Sequence, residues 1–104
     1  MFQLGSALLD GCVLAVLART DAYGYSLTQA IKNVISVSES TLYPVLRRLQ
    51  KDDLLTTYDQ AFNGRNRRYY CITADGRRRL AEICAEWEQY KQDVDSILKG
   101  GVAA

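Results

Sequence analysis

The segment from residue 38 to residue 55 constrains the fold most, because a helical pattern in it runs directly into a strand. Four apolar positions recur at spacings of three and four, which predicts a helix with one buried stripe: Leu42, Val45, Leu46 and Leu49. A second, arginine-rich strand follows the first. A helix followed by such a hairpin is how a winged helix-turn-helix presents a recognition helix and a wing to DNA. The segment therefore predicts that fold.

Apolar periodicity and capping residues place the remaining helices of the N-terminal half. A first helix is predicted over residues 4–19, with a wide apolar face. A second helix opens at Tyr23-Gly24-Tyr25, with Ser26 and Gln29 at capping-box spacing. The residues expected on its buried side are Leu27, Ile31, Val34 and Ile35.

The third helix is expected to start from an N-cap at Ser38, and Pro44 complicates its course. A proline inside a helix removes one backbone hydrogen bond and restrains the preceding residue, here Tyr43, away from helical geometry. Two alternatives follow from the sequence. Either the first turn is distorted, or the regular helix begins at Pro44.

Two short strands and a long helix complete the chain. The strands are predicted over residues 54–59 and 67–72, and Asn63-Gly64 in the link between them is a turn signal. Alternation places Tyr70 and Ile72 towards the core. Thr73 is the predicted N-cap of a helix running to about Lys99, and residues 100–104 are expected to form a frayed end. The order α-α-α-β-β-α is an α+β fold that is mostly α.

The third helix and the hairpin carry the residues expected to contact DNA. Hydroxyls and an aromatic ring at the start of the helix, followed by arginine, can donate to phosphates and base edges. A basic hairpin tip can follow the backbone or enter the narrow minor groove. The alternative for both features is a solvated polar surface. The predicted DNA-binding residues are Ser38, Ser40, Thr41, Tyr43, Arg47, Lys51, Arg65 and Arg67.

The charge distribution agrees with a nucleic-acid partner. Residues 47–79 hold nine Lys or Arg and four Asp or Glu, a net +5, whereas residues 80–99 carry −3 and residues 1–46 carry −1. A basic middle beside an acidic tail suits a chain whose middle faces phosphates. Three consecutive arginines at 77–79 open the last helix, where positive charges oppose the helix dipole. Either a phosphate backbone or Glu82 or Glu86 on adjacent turns would compensate for this unfavourable interaction.

Composition argues against catalysis, metals and membranes. The 104 residues contain no histidine, the commonest general base and metal ligand. The three cysteines Cys12, Cys71 and Cys84 have no CxxC spacing and are expected to be reduced and mostly buried. No enzyme, metal or cofactor is predicted. The longest apolar run is too short to span a bilayer, and the start lacks the basic region of a signal peptide, so a cytoplasmic protein is expected.

The last helix predicts a homodimer. Its apolar residues fall on the a and d positions of an unbroken heptad pattern: Leu80, Ile83, Trp87, Tyr90, Val94 and Ile97. Trp87 is expected to be a dimer contact. As a sharper alternative, Trp87 and its symmetry mate flank a pocket for a flat aromatic effector, with Leu9 and Val13 in its lining. Residues 1–73 would then form the DNA-binding domain, and residues 74–104 the dimerisation helix and tail.

The combined motifs resemble PadR-type transcriptional regulators over nearly the whole chain. The matching residues are Tyr23-Gly24-Tyr25, Thr41-Leu42-Tyr43-Pro44, Leu46, Leu49, Gly64-Arg65, Arg67-Arg68-Tyr69-Tyr70 and Thr73-Ala74-Asp75-Gly76. The resemblance, to the compact branch with a single C-terminal helix, implies a homodimeric winged-helix repressor. It also implies that Ser40, Thr41, Tyr43 and Arg47 approach the major groove, with Arg65 and Arg67 on the wing.

Two departures from the family pattern stand out. The family often has glycine where this chain has Asp53, and proline-glycine or a close variant at Glu39-Ser40. An acid near DNA is unfavourable unless it reads a cytosine amine or points aside. Twofold symmetry would predict an inverted-repeat operator. The competing function is a winged-helix protein-interaction module that does not bind DNA, because fold alone does not fix function.

Overall fold

Four helices and a small antiparallel sheet make up the fold in the computed structural model, which describes residues 4–100. The elements in chain order are α1 (Leu4–Arg19), β1 (Ala22–Tyr23), α2 (Gly24–Lys32), α3 (Glu39–Lys51), β2 (Leu55–Phe62), β3 (Arg65–Ile72) and α4 (Ala74–Leu98). This confirms the α+β, mostly α winged helix-turn-helix fold. None of the helices within residues 4–100 is long and apolar enough to cross a membrane.

The strand β1 was missing from the sequence prediction. It contributes only two residues, and its register on β3 is Ala22↔Tyr70 and Tyr23↔Tyr69, which gives the sheet order β1-β3-β2. Two residues between two helices show no alternation that a pattern could detect. The consequence is a three-stranded sheet in which β3 is central.

The core lies where α1, α2, α3 and α4 meet the sheet. The stripe predicted for α3 is buried at all four positions, and Leu14, Leu17 and Leu55 are also among the fully buried side chains. Burying such side chains is the main favourable contribution to folding, about 1.5–3 kcal/mol for each. The residues that the helical apolar periodicity of α3 predicts as buried are therefore the ones that pack it against the core.

Two predictions for α2 are wrong. The helix begins at Gly24 with Tyr23 as its N-cap, so Ser26 is the third residue inside the helix and does not cap it. The helix ends at Lys32, so Val34 lies in the following turn and is 83% exposed. Helix ends are set by local hydrogen bonding, which apolar spacing does not resolve.

The α3 helix runs without a break through Pro44. Ser38 caps it as predicted, and its hydroxyl accepts a hydrogen bond from the Thr41 N–H at 3.3 Å. Continuity rules out a helix that begins at Pro44. Pro44 lacks the N–H that would otherwise donate to the carbonyl of Ser40, one turn earlier, and both residues lie on the exposed side of α3.

The wing is longer and tighter than predicted. Both strands extend to the Asn63-Gly64 turn, so Arg65 belongs to β3 and not to a loop. Asn63 and Gly64 have φ values of 50° and 76°, both positive, as a two-residue turn of type I′ requires. Ile72 is buried and Tyr70 packs against the core, as the alternation predicts.

The α4 helix is capped by Thr73, whose hydroxyl accepts from the Gly76 N–H at 2.9 Å. A Cβ at Gly76 would lie 2.2 Å from the Leu54 carbonyl oxygen, so the start of α4 packs closely on the chain before β2. Residues 101–104 of the predicted frayed end lie outside the described residues. The cysteines correct one expectation: Cys12 and Cys71 are half-buried, but Cys84 is exposed.

Candidate DNA-binding surface

The outer face of α3 presents the residues that the sequence analysis assigned to DNA. Ser40, Thr41, Arg47 and Lys51 are exposed, and Tyr43 is half-buried. They lie outside the buried stripe, because 3.6 residues per turn separate the two sets around the helix. The face is thus free for contact with a groove of DNA.

Hydroxyl groups cluster at the first turn of α3. The Ser38 hydroxyl lies 2.9 Å from the Ser40 hydroxyl and 3.0 Å from the Thr41 hydroxyl. Ser38 also accepts the capping bond, so its oxygen is committed to the helix start. Ser40 and Thr41 lie two and three residues further along, in the same first turn, and both are exposed.

Glu39 is directed away from the outer face of α3. Its Oε1 atom lies 3.5 Å from Lys32 Nζ and accepts a hydrogen bond from Gln29 Nε2 at 3.4 Å. Both partners belong to α2. The negative charge is therefore partly neutralised at the junction of α2 and α3.

Arg48 ties α3 to α1. Its guanidinium forms a bidentate ion pair with the carboxylate of Asp10, and Nη1 donates to Oδ2 at 3.1 Å. Asp10 is buried, and the bond to its carboxylate raises the pKa of Arg48. Two parallel hydrogen bonds to a carboxylate fix geometry as well as charge. Arg48 therefore helps to fix the orientation of α3 on α1.

A cleft of about 500 Å³ separates α3 from the wing. Tyr43 of α3 lies on one side, and Arg65, Arg67 and Arg68 of β3 lie on the other. The start of α2 closes the end of the cleft. Arginine and tyrosine edges are the donors that commonly position a phosphate backbone.

The three wing arginines have different surroundings. Arg65 is exposed, Arg68 lies 3.7 Å from Asp59 Oδ1 across the hairpin, and Arg67 is half-buried against aromatic rings. Both Arg65 and Arg67 are predicted from the sequence to bind DNA. Their side chains share one face of β3, but only Arg67 of the two is engaged by rings in the described part of the chain.

An aromatic layer covers the face of the sheet opposite the core, and the sequence analysis missed it. Tyr23 lies 6.0 Å from Tyr69, which stacks on Tyr58 at 5.4 Å with an angle of 7° between the rings. The Tyr58 hydroxyl donates to Asp21 at 2.9 Å, and this bond raises the pKa of Tyr58. Strand alternation at Tyr58, Phe62 and Tyr69 was the available signal.

The arginines that open α4 are mostly paired within the helix. Arg79 contacts Glu82 at 3.1 Å and Glu86 at 3.4 Å, and Arg78 pairs with Asp75. This matches the intrahelical alternative for Arg79. Exposed pairs of this kind contribute little to stability, about 0–1 kcal/mol each.

The residues assigned to the dimer and to the pocket do not all lie at the surface. Ile83 is 3% exposed and sits against Gly11 of α1, where an added Cβ would be 2.7 Å from its Cγ2 atom. Val13 is 0% exposed. Both are committed to the core of their own chain, which corrects the assignment of Ile83 to a dimer seam and of Val13 to a pocket lining.

The other heptad residues of α4 lie at or near the surface. The rings of Trp87 and Tyr90 are 6.3 Å apart and inclined by 19°, and both pack against the core. Towards the end of α4, Val94 is half-buried, and Ile97 is 72% exposed. Leu9 on α1 is half-buried. The helix therefore covers its own core with its first half and carries open apolar residues in its second half.

Comparison with known proteins places this architecture in a family. The model of the transcriptional regulator PadR-like family matches residues 13–82, more than half of the chain. The chain belongs to the PadR-like family. Members of this family are DNA-binding transcriptional regulators and not enzymes, and this chain is a regulator of that kind.

Individual relatives agree with the PadR-like assignment. The transcriptional regulator Rv3488 of Mycobacterium tuberculosis is 36% identical over 83 residues, covering 79% of this chain and 78% of its own. Among solved structures, smu.1704 of Streptococcus mutans UA159 is 38% identical with a TM-score of 0.88, covering 99% and 97% of the two chains. A PadR-like transcriptional regulator of Bacillus cereus is 32% identical with a TM-score of 0.81, covering 93% and 97%.

Proposed function

We propose that this PadR-like protein is a homodimeric repressor that reads an inverted-repeat operator with α3 and the wing. The observation that carries the proposal is one cleft lined by Tyr43 of α3 and by arginines of β3. Exposed hydroxyls and Arg47 lie on the same helix as Tyr43. A recognition helix and a wing so placed suit a major groove and the adjoining backbone.

Within this surface, Ser40, Thr41, Tyr43 and Arg47 are proposed to approach base edges, with Ser38 and Lys51 at the two ends of the helix. Arg65 is proposed to contact a phosphate from the wing, next to Arg67. Arginine donates in a planar fork that suits guanine and phosphate oxygens alike. The base contacts are assigned to side chains of α3, and the phosphate contact is assigned to a side chain of β3.

The proposed dimer forms through the second half of α4. Val94 and Ile97 carry the apolar surface there, Leu98 adds to it with 77% exposure, and Leu80, Trp87 and Tyr90 border it on the same helix face. Large apolar side chains exposed together at one end of a helix favour association. In this proposal residues 1–73 read DNA and residues 74–104 dimerise, although α4 also covers the core.

Selection from random double-stranded DNA tests the proposal. The purified protein should enrich an inverted repeat whose half-sites are about one helical turn apart, because a twofold dimer reads the same sequence twice. Enrichment of an asymmetric site would contradict the dimer. Lack of enrichment at low salt would favour the alternative, a winged-helix module that binds another protein.

Two arginine variants test the contact assignment. Arg47→Ala should weaken operator binding by about 1–3 kcal/mol and relax specificity, while Arg65→Ala should weaken binding to all sequences similarly and flatten the salt dependence. Fluorescence anisotropy over a salt series measures both. Exposed Arg19 gives a matched control, since it lies at the end of α1 and its replacement by alanine should leave binding unchanged. Full operator affinity in Arg47→Ala would contradict the assignment.

We also propose that a flat aromatic effector binds beside Trp87 and releases the operator. The near-parallel rings of Trp87 and Tyr90 support it, because a planar ligand can stack on such a surface. Leu9 of α1 would border this site. Titration of planar dyes and drugs should quench Trp87 fluorescence and release labelled operator. Fluorescence that no compound changes would contradict this part of the proposal.

A further inference from the structure

Two aromatic rings hold Arg67, and this separates it from the other wing arginines. Its Cζ atom lies 3.9 Å from the centre of the Phe62 ring and 4.2 Å from the centre of the Tyr23 ring. These are cation–π contacts, in which the ring quadrupole attracts the guanidinium. Phe62 is the last residue of β2, and Tyr23 is the last residue of β1. One side chain thus joins the tip of the wing to the start of α2.

The outer half of the wing has few other contacts with the body. Every residue from Asp59 to Asn66 is exposed. The strand β1 pairs with Tyr69 and Tyr70 only, so the register from Asp59↔Arg68 to Phe62↔Arg65 extends beyond it. A two-stranded hairpin alone is marginally stable in water. The contacts of Arg67 can therefore fix the orientation of the outer half of the wing relative to α3.

We propose that Arg67 is a positioning residue that clamps the wing, and that Arg65 makes the phosphate contact. The clamp consists of Tyr23, Arg67 and Phe62. It rests on the proposed function in one respect, namely that the wing touches DNA. A planar guanidinium can lie against two ring faces at once, whereas a lysine ammonium is a compact, strongly hydrated charge that does so poorly. The clamp therefore requires arginine and not merely a positive charge.

Hydrogen exchange of the DNA-free protein tests the clamp directly. Arg67→Gln and Phe62→Leu should each speed amide exchange at residues 62–66 by about fivefold, the scale of an exposed cation–π contact. The double variant should exchange no faster than Arg67→Gln alone, because that replacement already removes both ring contacts. Arg65→Gln is the matched control on the same face of β3 and should exchange as wild type.

Operator binding then separates positioning from phosphate contact. Arg65→Gln should reduce the slope of log affinity against log salt by about 0.9, one phosphate contact. Arg67→Gln and Arg67→Lys should both lower affinity about fivefold and leave that slope unchanged. Phe62→Leu should behave in the same way although it removes no charge.

Several results would overturn the clamp. These are wild-type exchange in Arg67→Gln, additive effects of Arg67→Gln and Phe62→Leu, and full rescue of affinity by Arg67→Lys. The test also stands apart from the proposed function. If the wild-type protein bound no DNA, the proposed function would fail, whereas the exchange experiment would still decide whether Arg67 holds the wing.

Discussion

Asp53 has a backbone conformation that favours glycine. Its φ is +59°, in the left-handed region. Asp53 follows Asp52, the C-cap residue of α3. The Asp53 N–H donates to the Gln50 carbonyl at 3.1 Å, and the Leu54 N–H donates to the Leu49 carbonyl at 2.9 Å. This pair of bonds is the Schellman motif, in which glycine is usual. The structure thus gives a physical reason for the glycine that the family often has here.

Replacing Asp53 should therefore change stability in a direction set by its backbone. Asp53→Gly should raise the free energy of unfolding by up to about 1 kcal/mol, because glycine relieves the left-handed strain and removes an acid from a helix C-terminus. Asp53→Ala should lower it by about 1 kcal/mol. Urea denaturation measures both, and Asp52→Ala controls for the charge alone. A more stable Asp53→Ala than Asp53→Gly would contradict this account.

The cysteines should differ in reactivity. Burial raises the pKa of both the Cys12 and the Cys71 thiol, so each is less ionised at neutral pH, whereas Cys84 is exposed. The thiolate is the reacting form. Iodoacetamide at neutral pH should therefore label Cys84 roughly tenfold faster than the other two, as peptide mass spectrometry would show. Cys84→Ser should remove the fast phase, and initial labelling of Cys12 would contradict the prediction.

Among the contacts between elements, the Asp10–Arg48 ion pair links α3 to α1. Arg48→Ala would leave a buried carboxylate without its cation and should destabilise the protein by about 1–3 kcal/mol, the cost of an unsatisfied buried polar group. The loss stays below that of breaking a fully buried ion pair because the arginine is 44% exposed. Operator affinity should fall as well, because α3 loses its anchor. The double variant Asp10→Leu with Arg48→Met should recover most of the stability, since it removes the uncompensated charge.

Thermal denaturation and operator binding measure these two effects. Exposed Arg47 is the matched control for stability, because its replacement by alanine removes an arginine from the same helix without orphaning a buried acid. If Arg48→Ala and Arg47→Ala were equally stable, the pair would not anchor α3.

The whole molecule is elongated, and α4 is its longest helix. The longest dimension is 63 Å against 27 Å and 21 Å, and α4 spans 25 residues, roughly 38 Å at 1.5 Å per residue. Sedimentation velocity should show a dimer for the wild type and a monomer for Ile97→Glu, because the charge would enter the proposed interface. Gln89→Glu, which adds a charge to another face of α4, should remain dimeric. A dimeric Ile97→Glu variant would move the interface elsewhere.

Features that depend on neighbours in the chain could be predicted from the sequence. The buried stripe of α3, the N-caps Ser38 and Thr73, and the Asn63-Gly64 turn are all confirmed. Each is set within about one or two turns of chain, by helical periodicity, by hydrogen bonds to the first amides, or by positive φ. The outer face of α3 followed from the same periodicity.

Contacts between distant segments of the chain could not be predicted from the sequence. Asp10 and Arg48 are 38 positions apart, and Tyr23 reaches Arg67 only because β1 pairs beside β3. The heptad pattern of α4 correctly marked an apolar face but did not reveal that Ile83 packs against Gly11 of the same chain. An apolar pattern predicts that a helix face is buried. Which element covers that face depends on how distant parts of the chain come together. Local patterns thus predicted the four helices, the N-caps of α3 and α4 and the resemblance to PadR-type regulators, whereas the ring contacts of Arg67 depend on which strands pair.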